Sequence, residues 1–207
     1  MQRPLCDIAI VCGALQKEDL KKRLPDYLYL INNFRKIDVS RDKNFKDTYS
    51  VYFKFRGKAM WENFDKYFKF MQECKENHRG SEGDLTFDTI LDGLHKKLKI
   101  VTPSFASKLL SMINHDMPVW DSEVRDELKK FGVIHKVPPH YRQKNPNISE
   151  WHKFYTEMVC GWYKGFVKSE EAKEWIALFD KQYPEARTIT KVKKIDLILW
   201  QIREKSE

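Results

Sequence analysis

Two runs near the middle of the chain concentrate the side chains with chemical potential. They are Thr102-Pro103-Ser104-Phe105-Ala106-Ser107-Lys108-Leu109-Leu110 and Met117-Pro118-Val119-Trp120-Asp121-Ser122-Glu123-Val124. An acid, an amine and several hydroxyls lie within twenty positions of one another. A carboxylate at Asp121 would stabilise positive charge developing beside it, and it would orient or deprotonate a water molecule. Other chemistries lack parts. Ser104, Ser107 and the histidines are not set in a nucleophile elbow, so no hydrolase triad is indicated. The six histidines show no HxxxH or other ligand spacing, and no metal is expected. Cys6, Cys12, Cys74 and Cys160 form no CxxC pair and are read as reduced, mostly buried thiols. No cofactor is implied.

Two helices must position these groups. In the first, Phe105, Leu109, Met112 and Ile113 follow i, i+4, i+7, i+8 spacing, which is a buried stripe. Thr102 is a suitable N-cap for it, and Pro103 suits the first turn, where its missing N–H is not needed. Pro118 disfavours helix at Met117, so this helix ends near 114–116. A second stripe of Trp120, Val124, Leu128 and Phe131 follows, with Asp121 at its start. Asp is also among the best N-caps, a role worth roughly 1 kcal/mol. Local sequence alone favours that structural role for Asp121.

These two helices resemble the helix-hairpin-helix DNA glycosylases, the superfamily of endonuclease III and of the adenine glycosylase acting opposite 8-oxoguanine. The resemblance covers about residues 90–131. Ser104-Phe105-Ala106 stands where the family has Lys-Thr-Ala or Ser-Thr-Ala, and Pro118-Val119-Trp120-Asp121-Ser122-Glu123-Val124-Arg125 stands where the catalytic Asp opens its helix. The resemblance implies that Asp121 is the catalytic acid and that Ser104 takes the place of the lysine nucleophile of bifunctional members. It therefore implies a monofunctional enzyme, one that removes a base without lysine-mediated strand cleavage. Lys108 lies one turn further along, and a shifted alignment would make it the nucleophile. The family's Gly-rich hairpin is missing: Lys99-Ile100-Val101-Thr102-Pro103 stands there instead. Without glycines the backbone cannot approach phosphate in the usual way; Lys96, Lys97 and Lys99 either supply the charge through their side chains or, equally, make a solvated helix end with cations near its C-terminus. The iron–sulfur cluster of some relatives is absent.

The composition suits such a partner. The 207 residues carry 38 Lys+Arg against 30 Asp+Glu, a formal net charge of +8 that favours a polyanion, nucleic acid first and anionic membrane second. At 42% hydrophobic and 14% aromatic the chain can build a core, unlike a disordered one. No apolar run reaches bilayer-spanning length, and 5–15 makes a poor signal peptide, so a cytoplasmic location is expected.

The remaining chain reads as nearly all α. Residues 1–15 are either a short helix or a packed extended arm. Residues 16–37 look helical with a break or new start at Pro25, 49–55 allow either strand or helix, and one long helix is expected over 58–77. The loop 78–84, with Gly80 and Gly83, is the candidate boundary between lobes 1–80 and 84–207 of a single unit, the first sharing part of the C-terminal helices. Helices are expected over 86–98, 149–167, 169–182 and 190–203.

Other candidates each have a plain alternative. Lys136, His140, Arg142 and Lys144 make a basic loop, solvated or touching DNA. Lys191, Lys193 and Lys194 open the last helix, an end unfavourable for cations, which points toward an external anion. Trp151, Phe154, Tyr155, Trp162, Tyr163 and Phe166 look like a base-stacking box, but their helical spacing assigns most of them to the core, as it does Trp61, Phe64 and Trp200. Asn32 and Asn33 are expected on an exposed face. Arg125 follows Asp121 by one turn and either meets DNA or pairs with a neighbouring acid.

The expectation is an all-α, two-lobed glycosylase-like protein, monomeric, acting on double-stranded DNA with a flipped-out base. Asp121 is the catalytic residue, with Lys97, Lys99, Thr102, Ser104, Lys108 and Arg125 on the DNA. A role in repair or phage defence would follow. The target base is not legible: oxidised purine, alkylated purine, mismatched base and hypermodified cytosine all stay open. The rivals are a non-catalytic DNA-binding module on the same scaffold and a basic interaction protein with no DNA role.

Overall fold

The computed structural model describes residues 5–55, 58–77, 85–99, 101–139 and 147–202. Within them the chain is helical throughout, with no strand. The order is α1 (Ile8–Leu15), α2 (Glu18–Phe34), α3 (Lys43–Tyr52), α4 (Lys58–Glu62), α5 (Phe64–Asn77), α6 (Phe87–Leu98), α7 (Pro103–Ile113), α8 (Ser122–Lys130) and α9 (Ile148–Lys153). A π-helical segment (Phe154–Cys160), α10 (Gly161–Phe166), α11 (Glu170–Gln182) and α12 (Lys191–Ile202) complete the chain. The all-α expectation therefore holds. The 78–84 loop, residues 140–146 of the basic loop, Ile100 and the 203–207 end lie outside the described residues.

Several boundaries differ from expectation for local physical reasons. The first fifteen residues include a helix, not an extended arm, because Asp7 caps α1 by accepting from the Ala9 N–H at 2.8 Å. Pro25 does not break α2. It sits on the exposed face with Lys21 also exposed, so the carbonyl left without an N–H partner faces solvent. Residues 49–52 belong to α3, where Tyr49 and Tyr52 both turn inward. The single helix expected over 58–77 is divided at Asn63 into α4 and α5.

The buried side chains from Val11 to Trp200 form one contiguous cluster. Helix α12 runs through it, with every residue from Val192 to Gln201 buried, and it packs on α1, α11, α8 and α2. The N-terminal helices thus share their core with the C-terminal ones. Helices α5 and α6 pack directly against each other.

Candidate active site

The segment 114–121, between α7 and α8, is irregular yet held from three directions. The Ser107 hydroxyl on α7 accepts from the Trp120 N–H at 2.9 Å, and it lies within donating reach of the Trp120 and Ser104 carbonyls at 3.1 and 2.9 Å. The Tyr155 hydroxyl in the π-helical segment donates to the Pro118 carbonyl at 2.7 Å. Asp196 on α12 accepts from the Val119 N–H at 3.1 Å. Its carboxylate also receives the Lys193 ammonium at 2.7 Å and the Tyr163 hydroxyl. The buried side chains of Ser107, Tyr155, Tyr163, Lys193 and Asp196 are thus all hydrogen-bonded, which favours a rigid polar network.

This support delivers Asp121 to the start of α8. One carboxylate oxygen caps the helix, accepting from the Val124 N–H at 3.1 Å. The other lies 3.9 Å from the Lys108 ammonium. Both side chains are almost wholly buried, 11% and 6% exposed. Burial pushes the Asp121 carboxyl above the ordinary carboxylate range, while Lys108 and the Val124 N–H pull it back; Asp196 adds to the rise and Lys54 opposes it. The Lys108 ammonium also donates to the Phe53 carbonyl at 3.0 Å and lies over the Phe105 and Phe53 rings.

Asp121 and Lys108 line a pocket of about 270 Å³, near the lower end of typical small-molecule sites. Asp19 and Arg23 of α2, Tyr52 of α3 with Phe53 and Lys54 just after it, and Trp200 of α12 make one wall. Residues 102–105 and Lys108 of α7, Trp120, the start of α8, Val137 and Trp151 make the other. Six aromatic residues (Tyr52, Phe53, Phe105, Trp120, Trp151 and Trp200) therefore line one space. Lys54 holds a left-handed backbone conformation, φ 50°, which costs on the order of 1–3 kcal/mol for a residue with a Cβ. Its ammonium meets Glu123 of α8 at 2.6 Å and ties the two walls together.

The expected site residues divide. Asp121, Thr102, Ser104, Lys108 and Arg125 converge on the pocket. Lys97 and Lys99 do not line it. Lys97 is exposed and paired with Glu73 at 2.7 Å, and Lys99 ends α6 with φ 59°. Thr102 stands at the head of α7 without making the expected cap; its hydroxyl is buried with no partner. Arg125 pairs with Asp126 at 2.8 Å.

Other expectations are corrected. Lys193 and Lys194 do not await an external anion: both are buried, bound to Asp196 at 2.7 Å and Asp180 at 2.6 Å. Trp61 is not core but 53% exposed, stacked on Phe64. Of the suggested stacking box, Phe154, Tyr155, Tyr163 and Phe166 are core, and only Trp151 reaches the pocket. Asn32 is exposed and Asn33 is half-buried, bonded to the Tyr29 carbonyl.

Sequence reasoning missed Asp19, Arg23, Tyr52 and Phe53, all from elements more than forty positions away from the central motif. Only the tertiary fold brings them in. Among the described residues, no group of three or more His, Cys, Asp or Glu is placed to hold a metal ion, and no helix is long and apolar enough to cross a membrane. Compared with known proteins, the chain matches no family model, no curated protein and no solved structure.

Proposed function

We propose that this chain is a monofunctional DNA glycosylase, removing a modified base from double-stranded DNA by hydrolysis of the N-glycosidic bond. The observation that carries the reading is the placement of Asp121: a buried carboxylate beside an ammonium, in a pocket walled by aromatic rings. The two walls are the facing sides of a two-lobed cleft, as the helix-hairpin-helix resemblance implies. A base rotated out of the duplex would stack on the rings.

In the reaction the C1′–N bond breaks and the base leaves with the electron pair, taking a proton from solvent. Positive charge grows on the sugar, where the Asp121 carboxylate stabilises it. Water adds to C1′ and gives a proton to that carboxylate, which leaves an abasic site. A carboxyl raised above its usual range is the stronger base for this step. Lys108 keeps the carboxylate ionised in a dry site. Ser104 and Thr102 lie at the DNA side of the pocket, and Arg125, Lys97 and Lys99 meet phosphates.

Incubation with duplexes carrying a panel of modified bases, together with phage genomic DNA, followed by alkali cleavage at abasic sites, tests the reading. Cleavage at one modified base is expected. DNA binding without abasic sites on any substrate would instead support the non-catalytic module, for which the capping bond donated by the Val124 N–H to Asp121 is the supporting observation. Borohydride trapping would reveal an amine adduct if Lys108 attacked the sugar; none is expected, because its ammonium is engaged by the Phe53 carbonyl.

A further inference from the structure

π-helical turns are rare, and where they occur they often mark a functional position. Here seven residues, Phe154–Cys160, join α9 to α10 in one continuous helix. The pattern of burial shows what the wide turn does. Trp151, Phe154 and Tyr155 face the core, and α-helical spacing from them would bring Met158 and Trp162 inward next. Met158 is instead 44% exposed, Thr156 and Glu157 are exposed beside it, and Val159 and Tyr163 are the buried pair. The wider turn has taken up one residue.

The consequence falls on two tyrosines eight positions apart. Eight residues of α-helix overshoot two turns by about 80°, whereas seven come within about 20° of them. Absorbing one residue therefore returns Tyr155 and Tyr163 to a common face. From that face Tyr155 donates to the Pro118 carbonyl at 2.7 Å. Tyr163 donates to Asp196, whose other oxygen accepts from the Val119 N–H at 3.1 Å. The Pro118 carbonyl and the Val119 N–H belong to a single planar peptide, which is thus gripped at both ends two residues before Asp121. Neither tyrosine lines the pocket, so neither touches what binds there. We propose, resting on the base-excision reading, that Tyr155 and Tyr163 are positioning residues for the Asp121 carboxylate, and that the π-helical turn between them sets both hydroxyls on the one peptide that aims it.

Tyr155→Phe removes the O–H and keeps the ring that stacks on Phe87 at 4.1 Å. Tyr163→Phe removes the O–H and leaves Asp196 its bonds to Lys193 and Val119. The measurements are single-turnover excision with protein in excess over a modified-base duplex, the dissociation constant of that duplex, and amide hydrogen exchange across 117–124. Each variant should lower the saturating rate constant at least about tenfold and leave the dissociation constant within about twofold, the signature of misplaced geometry and not of lost binding. Exchange at Val119 and Trp120 should quicken while that of α2 keeps the parent's rate. A merely structural role would reduce the amplitude, through the fraction folded, and leave the rate constant in place. Because both tyrosines act through one peptide, the double variant should lose far less than the product of the two single losses. If one variant fails to fold, the other decides. Unchanged rate constants, or losses that multiply in full, overturn the proposal and leave the glycosylase reading standing. No abasic sites from the parent on any substrate would remove that reading, and the catalytic role of the two tyrosines with it.

Discussion

At the scale of single residues, Asp121 combines two roles that a substitution can separate. Asn caps a helix about as well as Asp, so Asp121→Asn keeps the α8 cap and loses the carboxylate. Its effect on stability follows from the raised carboxyl. Between the ordinary carboxylate value and the raised one, the folded protein holds more protons than the unfolded chain. Stability therefore falls as pH rises through that window, and the whole penalty is present at neutral pH. Asp121→Asn should unfold at the same or a higher temperature than the parent at neutral pH, with the advantage disappearing below the window. A lower midpoint at neutral pH, measured by circular dichroism, would contradict this. Lys108 acts in the opposite sense, holding the carboxyl down. Lys108→Met should shift the acid limb of the excision rate upward in pH, where removal of a merely structural lysine would leave it in place.

At the scale of elements, the rigidity of 114–121 depends on side chains from three separate helices. Ser107→Ala would leave the buried Trp120 N–H without its acceptor, a loss of about 1–3 kcal/mol. Denaturant unfolding should register that loss, and excision at saturating DNA should fall while its pH profile stays put. A Ser107→Ala protein as stable as the parent would show that the segment is held by packing instead. This is also where legibility in the sequence ended. The α7 stripe, the stop before Pro118 and the start of α8 at Asp121 are local effects, set by periodicity, proline geometry and capping, and the structure has them all. The staples at Ser107, Tyr155 and Asp196 are not local: they join positions 13, 37 and 77 residues apart. Lys194 misled for the same reason, since the fold brings Asp180 to it from α11, whereas the partner of Lys193 is local, Asp196 standing three residues further along the same helix.

At the scale of the whole molecule, the net charge of +8 should make DNA binding strongly dependent on salt, with the logarithm of affinity falling linearly with the logarithm of salt concentration. Arg125 lies at the pocket with its side chain one-third exposed. Arg125→Ala should reduce the magnitude of that slope by about one; an unchanged slope would remove Arg125 from the interface. The position of one wall relative to the other follows from the shared core, since α12 contributes Trp200 to the pocket and Asp196 to the support of Asp121. The most direct measurement is the count of abasic sites formed in modified-base DNA by the parent protein and by Asp121→Asn, alongside the affinity of each for that DNA. Abasic sites made by the parent alone, with affinity retained in the variant, are the expected result. Equal numbers of abasic sites from both proteins would contradict the assignment of Asp121 as the catalytic acid.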